Sequence, residues 1–298
     1  MKQKLLFFLM AAALVMGFAA CGDDDEDNDN KAISIIDLST ITSDLTLKDG
    51  DVVTGKLMGN VKITIADGAT VTLQDATIVG INRDSGSSKH AGITCDGDAT
   101  IVLADNTTNI VNTFQFGYPC IYVPMDKTLT IKGNGKLETK IPNKWDAAGI
   151  GAGVGLSCGN IYIQGGTIEA TGNAGIGNAY QSSCGDIIIS AGTVIASSPN
   201  GAAIGSSNGR NIGNIVIGRD VTRVVATTWD LSDKPIKRTP GSGYGVATID
   251  FGFTELPKEN LSDTDVYLDL KLKLEKRVVD GGGHQWIIYN PSKYTPAQ

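Results

Sequence analysis

Histidine is almost missing from this chain, with two among 298 residues. Aromatic residues make up only 6%. The five cysteines have no zinc-motif spacing. No stretch sustains a helical period of apolar residues, which argues against a bundle or an α/β protein. There is no basic excess either, since the formal net charge is −7. Six acids fall in one block, residues 22–30, and two lysines fall in the first four residues. Without those two segments, 23 basic and 26 acidic residues remain of the original 25 and 32. A nearly neutral body gives no electrostatic footprint for nucleic acid or for an anionic membrane surface.

Glycine, by contrast, is abundant at 37 residues, and short Thr, Val and Ile runs recur between glycines. The chain repeats itself. GNIYIQGGTIEATGNAGIG (159–177) returns as GDIIISAGTVIASSPNGAAIG (185–205) and as GNIVIGRDVTRVVA (213–226). One apolar column runs Ile63, Ile93, Ile121, Ile150, Ile176, Ile204. A second runs Val71, Ile101, Leu129, Ile161, Ile187, Ile215, and a looser third runs Ile78, Ile110, Leu137, Ile168, Val194, Val221. Offsets from the first to the second column are 8, 8, 8, 11, 11 and 11. Each unit then has three short strands, and one unit alone cannot bury its apolar face. Stacked units can. The spacing predicts an all-β, three-faced parallel β-helix of about six coils over residues 35–228, right-handed by the crossover rule. Coils at the strand spacing make it about 30 Å long. The glycines of GIGAG (149–153) recur as GIGNA (175–179) and AIGSS (203–207), so they read as solenoid corners, not as a phosphate loop. In residues 229–298 the repeat fades. Val266 to Leu274 alternates apolar with polar, and HQWIIYN (284–290) can return after Asp280 and three glycines. This region reads as a β cap over the exposed coil end, with a small separate β domain as the other reading.

The chain begins with a basic tetrapeptide and an apolar run, residues 5–20, that is short for a membrane span. Residues 1–20 therefore read as a signal peptide. Phe18-Ala19-Ala20-Cys21-Gly22 resembles the lipobox of bacterial lipoproteins, which implies a lipid on Cys21. Phe18 stands where Leu or Val is usual, and an ordinary signal peptide with an incidental cysteine is the alternative. The acidic block after Cys21 cannot fold. It reads as a tether over residues 21–34, and it resembles the leader of surface-exposed lipoproteins of Bacteroides-type bacteria.

Three loops between the third strand and the next coil are long: residues 80–92, 111–119 and 140–149. Stacking should bring Arg83, His90, Phe114, Phe116, Tyr118, Lys144, Trp145 and Asp146 to one side. Rings beside charged and amide groups suit a sugar, although large rings also fold back over core corners. Asp98 and Asp126 each follow a first-column Ile by five residues. With Asp96 they are candidate Ca²⁺ ligands or an acid–base pair, against a plain turn role for Asp. Cys158 and Cys184 each precede a second-column Ile by three residues. Stacked on neighbouring coils, they can be bonded or simply adjacent thiols.

Taken with the leader and the GIGAG…GNIYIQGGTIEATG repeats, the chain resembles β-helical carbohydrate-binding or adhesin-like surface lipoproteins of Bacteroides-type bacteria. That resemblance implies an outer-membrane, lipid-anchored protein facing the cell exterior, with a glycan as partner and no catalysis. Polysaccharide lyases and glycoside hydrolases use the same architecture, so an enzyme is the first alternative and a purely structural surface protein the second. Polygalacturonase-type enzymes combine stacked Asp with His and an Arg-x-Lys element, which this sequence does not match.

Overall fold

The computed structural model describes residues 34–57, 59–79, 90–113, 116–141, 147–206, 211–229, 236–237, 259–261, 266–269 and 271–296. The chain divides into two compact units, Met1–Ala32 and Ile33–Gln298, and every described residue belongs to the second. The signal segment, Cys21 and the acidic tether thus lie outside the described residues.

Two sheets of stacked parallel strands build the second unit, a β-solenoid. The shorter strands form an eight-stranded sheet, with Ile63, Ile93, Ile121, Ile150, Ile176 and Ile204 in unbroken register. All six side chains are fully buried. These six rungs bound five complete turns. Leu45 and Ile236 add a rung at either end that the sequence repeat does not announce.

The second and third strands of each unit belong to one large sheet. In the later coils they are one long bent strand, Asn160–Thr171, Ile187–Ser198 and Ile215–Thr228. The bend coincides with register shifts between neighbouring coils. Gly166 and Gly192 sit there at φ +77° and +85°. A Cβ on Gly192 would lie 2.5 Å from the Gly166 carbonyl oxygen, so the bend requires glycine twice over, for its φ and for its room.

Two columns need correction. Ile101 pairs with Ile131, and Leu129 pairs with Ala99. The second column therefore has two inward rows, and the expected one crosses between them. The true continuation is Val71, Ile101, Ile131, Ile163, Ile189, Ile217. Strand alternation makes residues i and i+2 share a face, so both rows are apolar and a slip of two leaves no mark on the pattern. In the third column Ile110 is half-buried and pairs with Thr77 and Glu138; Asn109 and Val111 point inward instead. Val224, not Val221, follows Val194. Asn109 is tolerated in the core because its amide is engaged. Its oxygen accepts from the Ala76 N–H at 3.0 Å, and its nitrogen donates to the Lys136 carbonyl at 3.1 Å.

At the C-terminal end the stretch from Val266 to Leu274 is not one strand. Val266–Leu268 adds in parallel to the first half of Ile215–Thr228. The chain then turns at Asp269, and Lys273–Val278 pairs antiparallel with His284–Tyr289. His284–Tyr289 in turn pairs antiparallel with the second half of Ile215–Thr228. The last coil is bent, and a straight strand cannot follow both of its faces. Trp286 and Ile288 enter the same core as the coils. At the other end Leu38, in a one-turn 3-10 helix, is fully buried.

Candidate functional site

The corner between the first and second strands changes along the solenoid. Counted along the paired row, it takes 8 residues from Ile63 or Ile93, 10 from Ile121, and 13 from Ile150, Ile176 and Ile204. The added residues of the Ile150 and Ile176 coils form turns that stack on each other and on residues 116–118 of the loop that leads into Ile121. The Val154 N–H donates to the Gly117 carbonyl at 2.8 Å, and the Gly155 N–H to the Tyr180 carbonyl at 2.9 Å. Ser183 N–H donates to Ser157 Oγ at 3.0 Å, and Cys158 N–H to the Ser183 carbonyl at 2.8 Å. The result is a continuous ledge over three coils, made of residues 116–118, 153–157 and 179–183.

The ledge carries rings. Phe116 is 62% exposed and Tyr180 45% exposed, more than core packing requires. Tyr118 is half-buried. Tyr122 lies half-buried beside the ledge and donates its phenol to the Ser157 carbonyl at 3.1 Å, while burial pushes that phenol's pKa up. Next to Tyr180, Gln181 is exposed and holds φ +57° at the turn tip. Tyr180 and Gln181 were not anticipated from sequence. The signal was the longer offset of the later coils, which reads as spacing until the turns are seen to stack.

Of the anticipated loop residues, the structure brings Phe116 and Tyr118 to this ledge. Arg83, Phe114, Lys144, Trp145 and Asp146 lie outside the described residues. His90 goes elsewhere: it lines a small pocket with Asn60, Asn112 and Thr113. Its Nδ1 meets the Ala91 carbonyl at 2.8 Å and must donate there. Its Nε2 and the Asn60 Oδ1 are both buried without a hydrogen-bond partner.

The aspartates serve the corners. Asp98 Oδ1 accepts from the Thr128 N–H at 2.7 Å, and the Asp98 N–H donates to Asp67 Oδ1 at 2.8 Å. The same ladder continues where Asn160 Oδ1 accepts from Asp186 N–H at 2.9 Å and Asp186 Oδ1 from Asn214 N–H at 2.6 Å. Three of these four crossings pass over a glycine. A Cβ on Gly97, Gly185 or Gly213 would lie 1.8 to 2.3 Å from the crossing side-chain oxygen. Hydrogen bonding to the Asp98 N–H, then to Lys127, holds the Asp67 carboxyl below its ordinary value. Asp126 is exposed at φ +63°, in a turn, and Asp96 is exposed. Among the described residues no group of three or more His, Cys, Asp or Glu stands where it can hold a metal ion. The expected Ca²⁺ set of Asp96, Asp98 and Asp126 is therefore not assembled, and Asp98 Oδ1 instead accepts a corner N–H.

Cys158 and Cys184 close the two ledge turns, and their sulfurs are bonded, with Cα atoms 4.5 Å apart. Cys95 and Cys120 are free and buried. Burial pushes both thiols up to about 12, so neither is a nucleophile at neutral pH.

The chain matches no protein-family model, no curated protein and no solved structure.

Proposed function

We propose that this protein is a lipid-anchored outer-membrane protein that presents its solenoid at the cell exterior for carbohydrate binding or adhesion, without catalysis. The observation that carries this reading is the pair of exposed rings, Phe116 and Tyr180, on a ledge made continuous by backbone hydrogen bonds. Ring faces stack on the apolar side of a sugar, and the Gln181 amide and the hydroxyls of the half-buried Ser157 and Ser183 suit its hydroxyl groups. The signal run, the Cys21 sequence and the acidic leader support the anchoring. The corner aspartates Asp67, Asp98 and Asp186 accept backbone N–H groups of the next coil, a structural role that fits the non-catalytic reading.

The test is binding of the mature protein to a glycan array, with the Phe116→Ala/Tyr180→Ala double variant beside it. Wild-type binding that the double variant loses is the expected result. Unchanged binding by the double variant removes the ledge from the reading. Release of reducing or unsaturated sugar ends from any bound polysaccharide overturns the non-catalytic part. Labelling of the chain by radioactive palmitate in cells, abolished by Cys21→Ser, is the expected sign of the anchor.

A further inference from the structure

We infer that the ledge takes a neutral, linear glycan laid along the solenoid axis, rather than a charged polysaccharide or a single sugar. This rests on the reading of the ledge as a carbohydrate site and goes on to the class of carbohydrate. Two observations carry it. The first is charge. Residues 116–118 are Phe, Gly, Tyr; 153–157 are Gly, Val, Gly, Leu, Ser; and 179–183 are Ala, Tyr, Gln, Ser, Ser. Among its described residues the ledge therefore holds no Asp, Glu, Lys, Arg or His. A polyuronate or sulfated glycan places a carboxylate or sulfate on many of its sugars. Such anions are held by cationic groups paired with them in defined geometry, and the described ledge residues offer none. A neutral sugar asks only for apolar area and for amide or hydroxyl partners, which Phe116, Tyr180, Gln181 and the half-buried Ser157 and Ser183 supply.

The second observation is spacing. Phe116 precedes the rung of Ile121 and Tyr180 follows the rung of Ile176, with the rung of Ile150 between them. Coils stack at about 4.8 Å, so the backbone positions that carry the two rings are offset by about 10 Å along the axis. One sugar ring cannot cover both. The backbone links from Gly117 to Val154 and from Gly155 to Tyr180 keep the floor between them unbroken. A linear chain of several sugars can therefore stack on Phe116, cross Val154 and stack again on Tyr180. The two rings then act as linked contacts on one ligand, and affinity grows with chain length until both are covered.

The experiment is affinity electrophoresis of the full chain in detergent through gels containing xyloglucan, mixed-linkage β-glucan, α-mannan or polygalacturonate, at low and high salt. Calorimetry with the monosaccharide and the hexasaccharide of any retaining polymer follows. The expected result is retardation by at least one neutral polymer, unchanged by salt, with the hexasaccharide bound at least about tenfold more tightly than the monosaccharide. Phe116→Ala or Tyr180→Ala alone should then cut hexasaccharide affinity about tenfold while monosaccharide affinity falls far less. Both sites are exposed, so an unchanged melting temperature certifies the fold of each variant. Salt-sensitive retention by polygalacturonate alone, or equal affinity for monosaccharide and hexasaccharide, overturns this inference and leaves carbohydrate binding standing. No retention by any glycan here or on the array overturns both.

Discussion

Single side chains in this protein are spent on corners. Every coil must turn between faces, and each turn leaves backbone N–H groups that the ladder does not satisfy. Asp67, Asp98, Asn160 and Asp186 supply the missing acceptors across coils. Replacing Asp98 by Ala should cost about 1 kcal/mol in urea unfolding, while Asp98→Asn, which keeps an acceptor for Thr128, should recover most of it. Equal losses from both variants would instead mean that charge matters, as at a metal or catalytic centre. Asp67 adds a pH dependence. Its folded-state pKa is depressed, first by the Asp98 N–H and then by Lys127. Its contribution is therefore present above the unfolded value near 4 and is lost as pH falls through the lower folded value. Stability measured against pH should accordingly decline less steeply on the acid side in Asp67→Asn than in the wild type. That glycine-Asp pairs recur was legible in the sequence. That the carboxylates reach the next coil was not, since the hydrogen bonds join residues about one coil apart in the chain.

At the scale of elements, the ledge turns are held by little core of their own. Val154, Leu156 and Ser157 are half-buried, and Tyr180 and Gln181 are exposed. Stacking hydrogen bonds and the Cys158–Cys184 bond, which closes a 26-residue separation, hold them in register. The double variant Cys158→Ala/Cys184→Ala should lose about 3 kcal/mol of stability on the loop-closure account. Hydrogen exchange should also rise in the peptides covering 152–158 and 178–184 before it rises in the long strands. Uniform acceleration across all coils would show that the bond supports the whole solenoid and not the ledge. The sequence placed the two cysteines at equivalent positions of neighbouring coils, and that equivalence survives the row slip upstream. It could not place the slip itself, between Ile101 and Leu129, since both inward rows are apolar. It also treated Val266 to Leu274 as one strand because alternation is blind to which partner each residue meets.

For the solenoid as a whole, the ends are the vulnerable places. A stacked sheet offers unpaired backbone groups at its last rung. His284–Tyr289 covers the second half of Ile215–Thr228, and Lys273–Val278 lies outside it with a charged, largely exposed face. Removing residues 271–298 should expose Val224, Ala226 and their edge, and turn a monodisperse protein into concentration-dependent oligomers, read by light scattering after size exclusion. A monomer of unchanged melting temperature would show that this hairpin is not the cap. The sequence by itself determined the all-β class, the parallel stacking, the first column and its six rungs. An inward Ile once per coil is a property of the repeat, and it stays visible however the corners are built. Only the tertiary structure decided which of two apolar rows pair, that the longer corners stack into a ledge, that Tyr180 joins Phe116 there while His90 turns to a pocket, and that the corner aspartates are engaged with backbone. Each of these depends on contacts between neighbouring coils. The one-dimensional pattern marks where a residue stands in its own coil and is silent about what the next coil offers it.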